Sequence, residues 1–126
     1  MDISHSFEKI TMVFGASSNP SRYSNLAIIS LLENKHKVIA IGNKKGVINH
    51  VEIKQIPPTN VKVDTVSLYL NRINQQIYYA YILKLHPRRI IFNPGAENEE
   101  FFKLAVSKGI YALNACTLVM LATNQY

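Results

Sequence analysis

The sequence predicts an α/β protein in which a five-stranded, mostly parallel sheet carries helices on both faces, in a doubly wound arrangement. Three observations support this prediction. Short apolar runs alternate with stretches of helical spacing, the first run enters a helix through a small-residue turn, and loops rich in turn-forming residues follow the strands. The 126 residues suffice for one domain, residues 1–126, of which residues 1–9 are expected to form an N-terminal extension.

The first structural unit is a strand at Ile10–Phe14, a turn of small residues at Gly15–Pro20 and a helix at Ser24–Asn34. Either Ser24 or Ser21 is expected to be the N-cap of this helix. Such a unit places free backbone N–H groups and the positive end of a helix dipole at one point, which favours a phosphate site. The alternative is that small residues only permit a tight turn.

The middle of the chain contributes two further strands. The second strand, Lys37–Ile41, is nearly all apolar, as a central parallel strand should be, and ends in the polar loop Gly42–Gly46. We expect irregular extended structure over Val47–Pro58, because its two final prolines exclude a regular helix. Val63–Leu70 has the composition of a strong third strand.

Strands and helices continue to alternate in the second half. Asn71 is expected to cap a helix that stops at Pro87. Its expected apolar residues are Ile73, Ile77, Ala80, Tyr81 and Leu85. The remaining elements are a strand at 88–92, a helix at 97–108 closed by Gly109, a strand at 110–113 and a short helix in the tail, 114–126.

Composition narrows the class of protein. Fourteen Lys and Arg against eight Asp and Glu give a net charge of +6, which favours anionic partners. The basic residues are scattered, so a nucleic-acid partner is the least favoured of these. No apolar run approaches a membrane span, and the first nine residues do not form a signal peptide. The single cysteine, Cys116, fits a reducing cytoplasm.

The distinctive motifs all fall in loops that follow strands. Parallel sheets bind ligands outside the carboxyl ends of their strands, so these loops predict a ligand-binding edge. The loops are Gly15–Tyr23, Gly42–Gly46, Leu70–Arg72, Asn93–Glu97 and Asn114–Thr117.

Two features of this edge argue against a nicotinamide dinucleotide, the commonest ligand of such a fold. The first turn lacks the Gly-x-Gly-x-x-Gly spacing, since Ser17 and Pro20 stand where the second and third glycines belong. The second strand ends without the acid that binds ribose hydroxyls and carries Lys44 and Lys45 instead. A basic pair there suits a phosphorylated ribose, either the 2′-phosphate of NADP or the 3′-phosphate of coenzyme A. The alternative is that both lysines are solvated loop charges.

The turn Gly15–Ser24, read as Gly-Ala-Ser-Ser-Asn-Pro-Ser-Arg-Tyr-Ser, resembles the small single-domain CoA-binding proteins. Those proteins are similar to the CoA-binding N-terminal domain of the succinyl-CoA synthetase α subunit. The segments Asp64–Leu70, Phe92–Glu97 and Ala115–Leu121 match further blocks of the family in the same order, so the resemblance extends from about Ile10 to Tyr126. It implies a Rossmann-type domain that binds coenzyme A or an acyl-CoA.

The resemblance also implies a ligand path. The turn at Gly15–Ser17 would take the pyrophosphate with Arg22 as a counter-charge, and the Gly42–Lys44 loop would lie by the adenosine and its phosphate. Leu68–Leu70 and Asn93–Glu97 would line the groove toward the pantetheine arm. Relatives more often continue the second strand as Val-x-Pro-Val-Asn-Pro, a pattern that this chain lacks. The expected cofactor-binding residues are Gly15, Ala16, Ser17, Pro20, Arg22, Ser24, Gly42, Asn43, Lys44, Leu68, Tyr69, Leu70, Asn93, Pro94, Gly95, Ala96, Glu97 and Cys116.

No catalytic or metal-binding constellation is apparent in the sequence. The four histidines are dispersed and lack metal-ligand spacing, and no Ser-His-Asp order or Gly-x-Ser-x-Gly elbow occurs. Cys116 either forms a mixed disulfide with the thiol of coenzyme A or packs as a small hydrophobe. Glu97 either acts as a base toward an acyl group or caps the helix that starts there.

We therefore interpret the chain as a binding or regulatory module for coenzyme A or an acyl-CoA, without catalytic residues. The alternative class is an NADP-type oxidoreductase or another nucleotide-binding protein, motivated by Lys44 and Lys45. The sequence leaves dimerisation open, because an apolar helix face buries equally well against the sheet or a second copy.

Overall fold

The computed structural model describes residues 9–126, which form a seven-stranded sheet. Its strands in chain order are β1 (Ile10–Phe14), β2 (Lys37–Ile41), β3 (Gly46–Ile48), β4 (Val51–Lys54), β5 (Thr65–Leu68), β6 (Arg89–Phe92) and β7 (Tyr111–Asn114). Across the sheet they lie in the order β3-β4-β2-β1-β5-β6-β7. Every pair is parallel except β3–β4, so the mostly parallel sheet is confirmed.

Helices cover both faces of this sheet. They are α1 (Tyr23–Glu33), α2 (Arg72–Gln75), α3 (Tyr79–Leu85), α4 (Glu99–Ser107) and α5 (Thr117–Ala122), and a 3₁₀ turn at Gln76–Tyr78 joins α2 to α3. On one face Val13 of β1 packs with Ile28 of α1 and Leu121 of α5. On the other face Phe14 packs with Ile82 of α3 and Phe101 of α4. The α/β doubly wound architecture therefore follows from the alternation of strand and helix patterns.

The predicted number of five strands is wrong, because Gly46–Lys54 forms an antiparallel hairpin rather than irregular structure. Val51 and Ile53 point into the core while Glu52 and Lys54 are exposed, which is the alternation of a half-buried strand. Residues 53–54 then pair in parallel with Ala40 and Ile41 of β2. Two very short strands thus extend the sheet at one edge.

Of the two N-caps predicted for the helices after β1 and β5, one is confirmed and the other is wrong. The Asn71 side chain accepts a hydrogen bond from the Asn74 backbone N–H at 2.9 Å, as predicted. Helix α1 instead begins at Tyr23, with Arg22 in the N-cap position and no side-chain cap, so neither Ser24 nor Ser21 caps it. The first N–H groups of α1 have no intrahelical partner, as in any helix, and here no capping side chain accepts from them.

The predicted apolar face of the helix after Asn71 is wrong in its first half, whereas Tyr81 and Leu85 pack against the core as predicted. Ile73 and Ile77 are 68% and 79% exposed, whereas the intervening Gln75 is completely buried. Two residues correspond to about 200° around a helix, so burial of Gln75 turns both isoleucines outward. The polar bonds that Gln75 makes, described below, outweigh the apolar pattern here.

The expected N-terminal extension, residues 1–9, lies outside the described residues except for Lys9. Within residues 9–126, no helix combines the length and apolar character that crossing a bilayer requires.

The amino edge of the sheet is organised around Tyr126. The Tyr126 hydroxyl bonds the Thr11 hydroxyl, its ring lies 4.3 Å from the Arg89 guanidinium carbon, and its backbone oxygen accepts from Lys9 Nζ at 3.0 Å. The His36 ring lies 5.0 Å from the Tyr126 ring, between centroids. Burial, followed by the positive charges of Lys9 and Arg89, lowers the pKa of His36.

We expect folding stability to fall as pH is lowered from about 7 to about 5. The unfolded chain takes up a proton on His36 near pH ~6.5, whereas the folded chain does so only at lower pH because its pKa is depressed. Melting temperatures measured across this range should decline for the native chain and decline less for His36→Gln. The exposed His50 provides the control, and an equal slope for His36→Gln and His50→Gln would contradict the prediction.

Candidate functional site

The loops that follow β1, β2 and β5 are hydrogen-bonded to one another where the parallel strands end. We call this side of the sheet, formed by the carboxyl ends of the strands, the carboxyl edge. The Gly15 and Ala16 N–H groups both donate to the Ile41 carbonyl at 2.9 Å, and the Tyr69 N–H donates to the Phe14 carbonyl at 2.9 Å. Gly15 has φ +88°, and a Cβ there would lie 3.0 Å from the Tyr69 carbonyl carbon. The β1 loop is therefore fixed between β2 and β5, which places the candidate site at the centre of the sheet.

Gly42 allows the closest backbone approach at this edge. A Cβ on Gly42 would overlap the carbonyl oxygen of Ala16 and come within 2.9 Å of the Ile53 side chain. The Gly42 N–H is itself held by the Lys54 carbonyl at 3.0 Å. The β2 loop can pass over the β1 loop only because residue 42 has no side chain.

These bonds determine which backbone N–H groups are available to a ligand. The N–H groups of Gly15 and Ala16 are engaged, so the expectation of free donors is wrong for these two residues. At the start of α1, Tyr23, Ser24 and Asn25 precede the first intrahelical bond, and the first turn contains no acidic side chain. The strongest backbone site for an anion is thus the first turn of α1 rather than Gly15–Ala16.

The intervening loop, residues 17–22, is ordered by its own polar groups. The Asn19 carboxamide oxygen accepts from the Ser21 N–H at 3.0 Å and the Ser21 hydroxyl at 2.8 Å. The Asn19 N–H donates to the Ser17 hydroxyl at 3.1 Å. The loop therefore presents exposed Pro20 and Arg22 from a defined turn.

Asn25 holds the β1 loop against α1 and was missed by the sequence prediction. Its side-chain Nδ2 donates to the Ser17 carbonyl at 2.9 Å, and the residue is only 4% exposed. Its Oδ1 is buried and has no hydrogen-bond partner in the described chain. The sequence does contain a signal for this role. Asn is unfavourable inside a helix, and Asn25 occurs in the first turn of the helix that follows the small-residue loop.

Four exposed cations surround this edge: Arg22, Lys44, Lys45 and Arg72. None of them pairs with a carboxylate among residues 9–126. Arg72 was not among the predicted site residues, although it closes the predicted loop Leu70–Arg72. In the structure it is the first residue of α2. Arg22 occupies the N-cap position of α1, so its unpaired charge adds to the positive potential at the first turn of that helix.

The loop after β6 is held by its own residues. The Glu97 carboxylate accepts from the Gly95 N–H at 2.9 Å and does not cap α4. The cap is Asn98, whose side-chain oxygen accepts from the Phe101 N–H at 3.1 Å. The cap predicted for Glu97 is therefore one residue too early.

Asn93 lies inside the fold at the end of β6. Its Nδ2 donates to the Ser67 hydroxyl and the Leu68 carbonyl, both at 2.9 Å, and its Oδ1 accepts from the Thr117 N–H at 2.8 Å. The Ser67 and Thr117 hydroxyls share a further bond of 2.8 Å. Asn93, Ser67 and Thr117 are all completely buried, so this amide joins β5, β6 and α5 beneath the edge.

A second buried network anchors α2 and α4. Gln75 Nε2 donates to the carbonyls of Leu70 and Ala96, at 2.9 and 2.7 Å. Asn98 Nδ2 donates to Gln75 Oε1 at 2.9 Å and to the Tyr79 hydroxyl at 2.7 Å. The loops after β5 and β6 are thereby tied to each other by side chains that the sequence prediction did not select.

Tyr69 and Cys116 lie near each other where the β5 loop meets the start of α5. The Tyr69 hydroxyl is buried, with the hydroxyls of Thr117 and Ser67 as its neighbours. Burial, and next the neighbouring Cys116, raise the pKa of Tyr69. Cys116 is half-buried at the N-cap position of α5. The thiol and the phenol are therefore the chemically distinctive pair at this end of the edge.

The structure brings the predicted site residues to one edge of the sheet, but their solvent exposure differs. Those with exposed positions are Pro20, Arg22, Asn43, Lys44, Pro94, Gly95 and Glu97. Those with half-buried positions are Gly15, Ser17, Tyr69, Leu70 and Cys116. The buried ones are Ala16, Ser24, Gly42, Leu68, Asn93 and Ala96. The buried group shapes the loops, and ligand contact by each residue stays a prediction.

Neither the largest groove described outside this edge nor the titratable side chains form a comparable site. A groove of about 490 Å³ lies by the amino half of β2, lined by residues that include Leu32, His36 and His50, and it contains none of the predicted site residues. Residues 9–126 contain no group of three or more His, Cys, Asp and Glu side chains arranged to hold a metal ion. The carboxyl edge remains the strongest candidate.

Comparison with solved structures gives close matches in fold. A crystal structure of an uncharacterised protein is 41% identical with a TM-score of 0.91, over 95% of this chain and 99% of that chain. A Thermus thermophilus protein is 19% identical with a TM-score of 0.82, over 94% and 91% of the two chains. The dinucleotide forming acetyl-coenzyme A synthetase 1 of Ca. Korarchaeum cryptofilum is 21% identical with a TM-score of 0.69, over 90% of this chain and 27% of that chain. The last two show the fold alone.

No curated protein matches the sequence. The model of a family described as "CoA binding domain" matches residues 9–122, which includes all the loops of the carboxyl edge. This agrees with the resemblance carried by the Gly15–Ser24 turn and the later sequence blocks. The chain therefore belongs to the CoA binding domain family.

Proposed function

We propose that this protein binds coenzyme A or an acyl-CoA across the carboxyl edge and acts by binding rather than by catalysis. The observation that carries the proposal is the uncapped first turn of α1, which has no acidic residue and directly follows Arg22. The loop after β2 adds the exposed Lys44 and Lys45 at the same edge of the sheet. Membership of the CoA binding domain family supports a CoA ligand in general.

In this proposal the pyrophosphate lies at the N–H groups of Tyr23–Asn25, with Arg22 as its counter-charge. A helix start and a charge-assisted bond from a guanidinium are both favourable partners for phosphate oxygens. The adenosine lies over the backbone of Gly42 and Asn43, and Lys44 contacts the 3′-phosphate. The pantetheine arm then runs along the β5 loop toward Tyr69 and Cys116.

The binding role is supported by what the polar side chains near this path already do. Glu97 is bonded to the Gly95 N–H, and Asn93 makes three bonds within the buried network. Glu97 therefore has a structural role in its loop, and the amide of Asn93 cannot act as an acid or a base. Incubation with acetyl-CoA should give no hydrolysis above the buffer rate, and turnover that disappears in a Glu97→Gln or Cys116→Ser variant would overturn this part of the proposal.

Lys44→Gln should weaken coenzyme A binding about tenfold and leave binding of 3′-dephospho-CoA unchanged, because only the 3′-phosphate contacts this lysine. Isothermal titration of both proteins with both ligands, with acetyl-CoA and NADPH alongside, measures the effect. Lys84→Gln is the control, since Lys84 is an exposed lysine on α3.

Each part of the proposal has its own contrary result. Failure of coenzyme A and 3′-dephospho-CoA to bind the folded native chain would overturn the CoA function. Tighter binding of NADPH than of coenzyme A would favour the oxidoreductase alternative. Equal binding of the two CoA forms by the native chain would remove Lys44 from the site while leaving CoA binding in place.

A further inference from the structure

The Asn25 side chain joins the turn after β1 to the first turn of α1. Its Nδ2 donates to the Ser17 carbonyl at 2.9 Å, and the residue is only 4% exposed. The carboxamide can have only this orientation, because a carbonyl oxygen accepts hydrogen bonds and Nδ2 is the donor of an Asn side chain. Its Oδ1 has no partner within residues 9–126, so the bond to Ser17 is the polar contact that fixes this buried side chain.

This bond also fixes the peptide unit between Ser17 and Ser18. The C=O and the N–H of a trans peptide point in opposite directions in one plane. Since the Ser17 carbonyl is directed at the buried Asn25 amide, the Ser18 N–H faces away from that amide, at an exposed residue. Within residues 9–126 the Ser18 N–H makes no hydrogen bond of its own. It is therefore a free backbone donor whose direction is set by a side chain of α1.

Two contacts place Ser18 next to both parts of the proposed phosphate site. Its peptide is bonded to Asn25, whose own backbone N–H belongs to the uncapped first turn of α1. Its side chain lies against Gly46, at the end of the loop that carries Lys44 and Lys45, since a Cβ built on Gly46 would be 3.1 Å from the Ser18 Cβ. A donor at Ser18 therefore extends the row of N–H groups that α1 offers.

We propose that Asn25 is a positioning residue for the phosphate groups of the ligand, because its amide holds the Ser17–Ser18 peptide with the N–H toward the pyrophosphate. This inference rests on the proposed CoA function. A backbone N–H donates to a phosphate oxygen, whereas a carbonyl oxygen in the same place would repel it. Reversal of the peptide would also leave the buried Nδ2 of Asn25 without a partner. Asn25 thus acts on the ligand through Ser18 and does not contact it.

Asn25→Asp tests the proposal, because it keeps the shape of the side chain and removes the donor. The ionised carboxylate repels the Ser17 carbonyl, so at about pH 8 the variant should bind 3′-dephospho-CoA at least about tenfold more weakly than the native chain. Burial raises the pKa of a carboxyl group, and the protonated form can donate its O–H to the Ser17 carbonyl. The ratio of the two affinities should therefore return toward one at about pH 5.5. This ligand is chosen because it lacks the 3′-phosphate, which itself titrates near pH ~6.

Asn25→Leu separates the lost bond from the added charge. Leucine has a similar size, carries no charge and cannot donate, so this variant should bind about tenfold more weakly at both pH values. Asn34→Asp is the control on the same helix. The Asn34 Nδ2 also donates to a carbonyl, that of Ser30 at 2.8 Å, but the residue is exposed at the other end of α1. Asn34→Asp should leave the affinity unchanged at both pH values.

The contrary results are distinct. Asn25→Leu that binds as tightly as the native chain would overturn the inference and assign the loss in Asn25→Asp to its charge alone. A loss in Asn25→Asp that persists at the lower pH, with the melting temperature showing a folded protein, would show that the bond to Ser17 does not position the site. A loss seen with coenzyme A but not with 3′-dephospho-CoA would overturn the assignment to the pyrophosphate. Failure of the native chain to bind either CoA form would overturn the proposed function as well.

Discussion

Gly42→Ala should destabilise the protein by about 2–3 kcal/mol and abolish coenzyme A binding. The added Cβ would overlap the Ala16 carbonyl oxygen, and neither side of this contact is free to retreat. Ala16 is held through its N–H to the Ile41 carbonyl, and Gly42 through its N–H to the Lys54 carbonyl. Urea unfolding would measure the loss of stability, and titration with coenzyme A would measure the loss of binding.

Gly46→Ala is the matched control, four residues further along at the start of β3. A Cβ on Gly46 would meet the Ser18 side chain, at 3.1 Å from its Cβ and 3.2 Å from its hydroxyl oxygen. Ser18 belongs to an exposed loop that can move by the few tenths of an ångström that relieve this contact, so the change should cost less than about 1 kcal/mol. Equal stability of the two variants would show that the Ala16–Gly42 contact is not the constraint inferred from the backbone.

The sequence predicted the centre of this fold well because its signals are local. The apolar runs at β1, β2, β5, β6 and β7 are short and bounded by turn residues, and five strands alternating with helices require a parallel sheet. The Asn71 cap was predicted for the same reason, since the capping bond to the Asn74 N–H spans three residues. The family resemblance depended on one contiguous turn, Gly15–Ser24.

What the sequence could not predict depends on contacts between distant segments. The β3–β4 hairpin has only three and four residues in its strands, and β4 is stabilised by pairing with β2. Ile73 and Ile77 have helical spacing, but their orientation is set by Gln75, which bonds to Ala96 across 21 residues. Asn25 became distinctive only when the structure showed its buried amide bonded to the Ser17 carbonyl.

Asn93→Ala should destabilise the protein by about 2–4 kcal/mol. The substitution leaves a small cavity and removes partners from the Ser67 hydroxyl, the Leu68 carbonyl and the Thr117 N–H, all of them in the core. Thermal and urea unfolding would measure the loss. Asn114→Ala is the control, because Asn114 is an exposed Asn at the carboxyl end of the next strand and should change stability by less than about 0.5 kcal/mol.

The same variant separates two roles for Asn93, which the family resemblance places beside the pantetheine arm. If the Asn93 side chain has a structural role, Asn93→Ala lowers the free energy of unfolding. Coenzyme A binding then weakens as a consequence, because the start of α5 and Cys116 are no longer held against β5. If instead the side chain contacts the ligand, binding falls while the unfolding free energy stays near that of Asn114→Ala. The complete burial of Asn93 favours the first outcome, because all three of its bonds are made within the protein. A ligand contact would require one of those bonds to break.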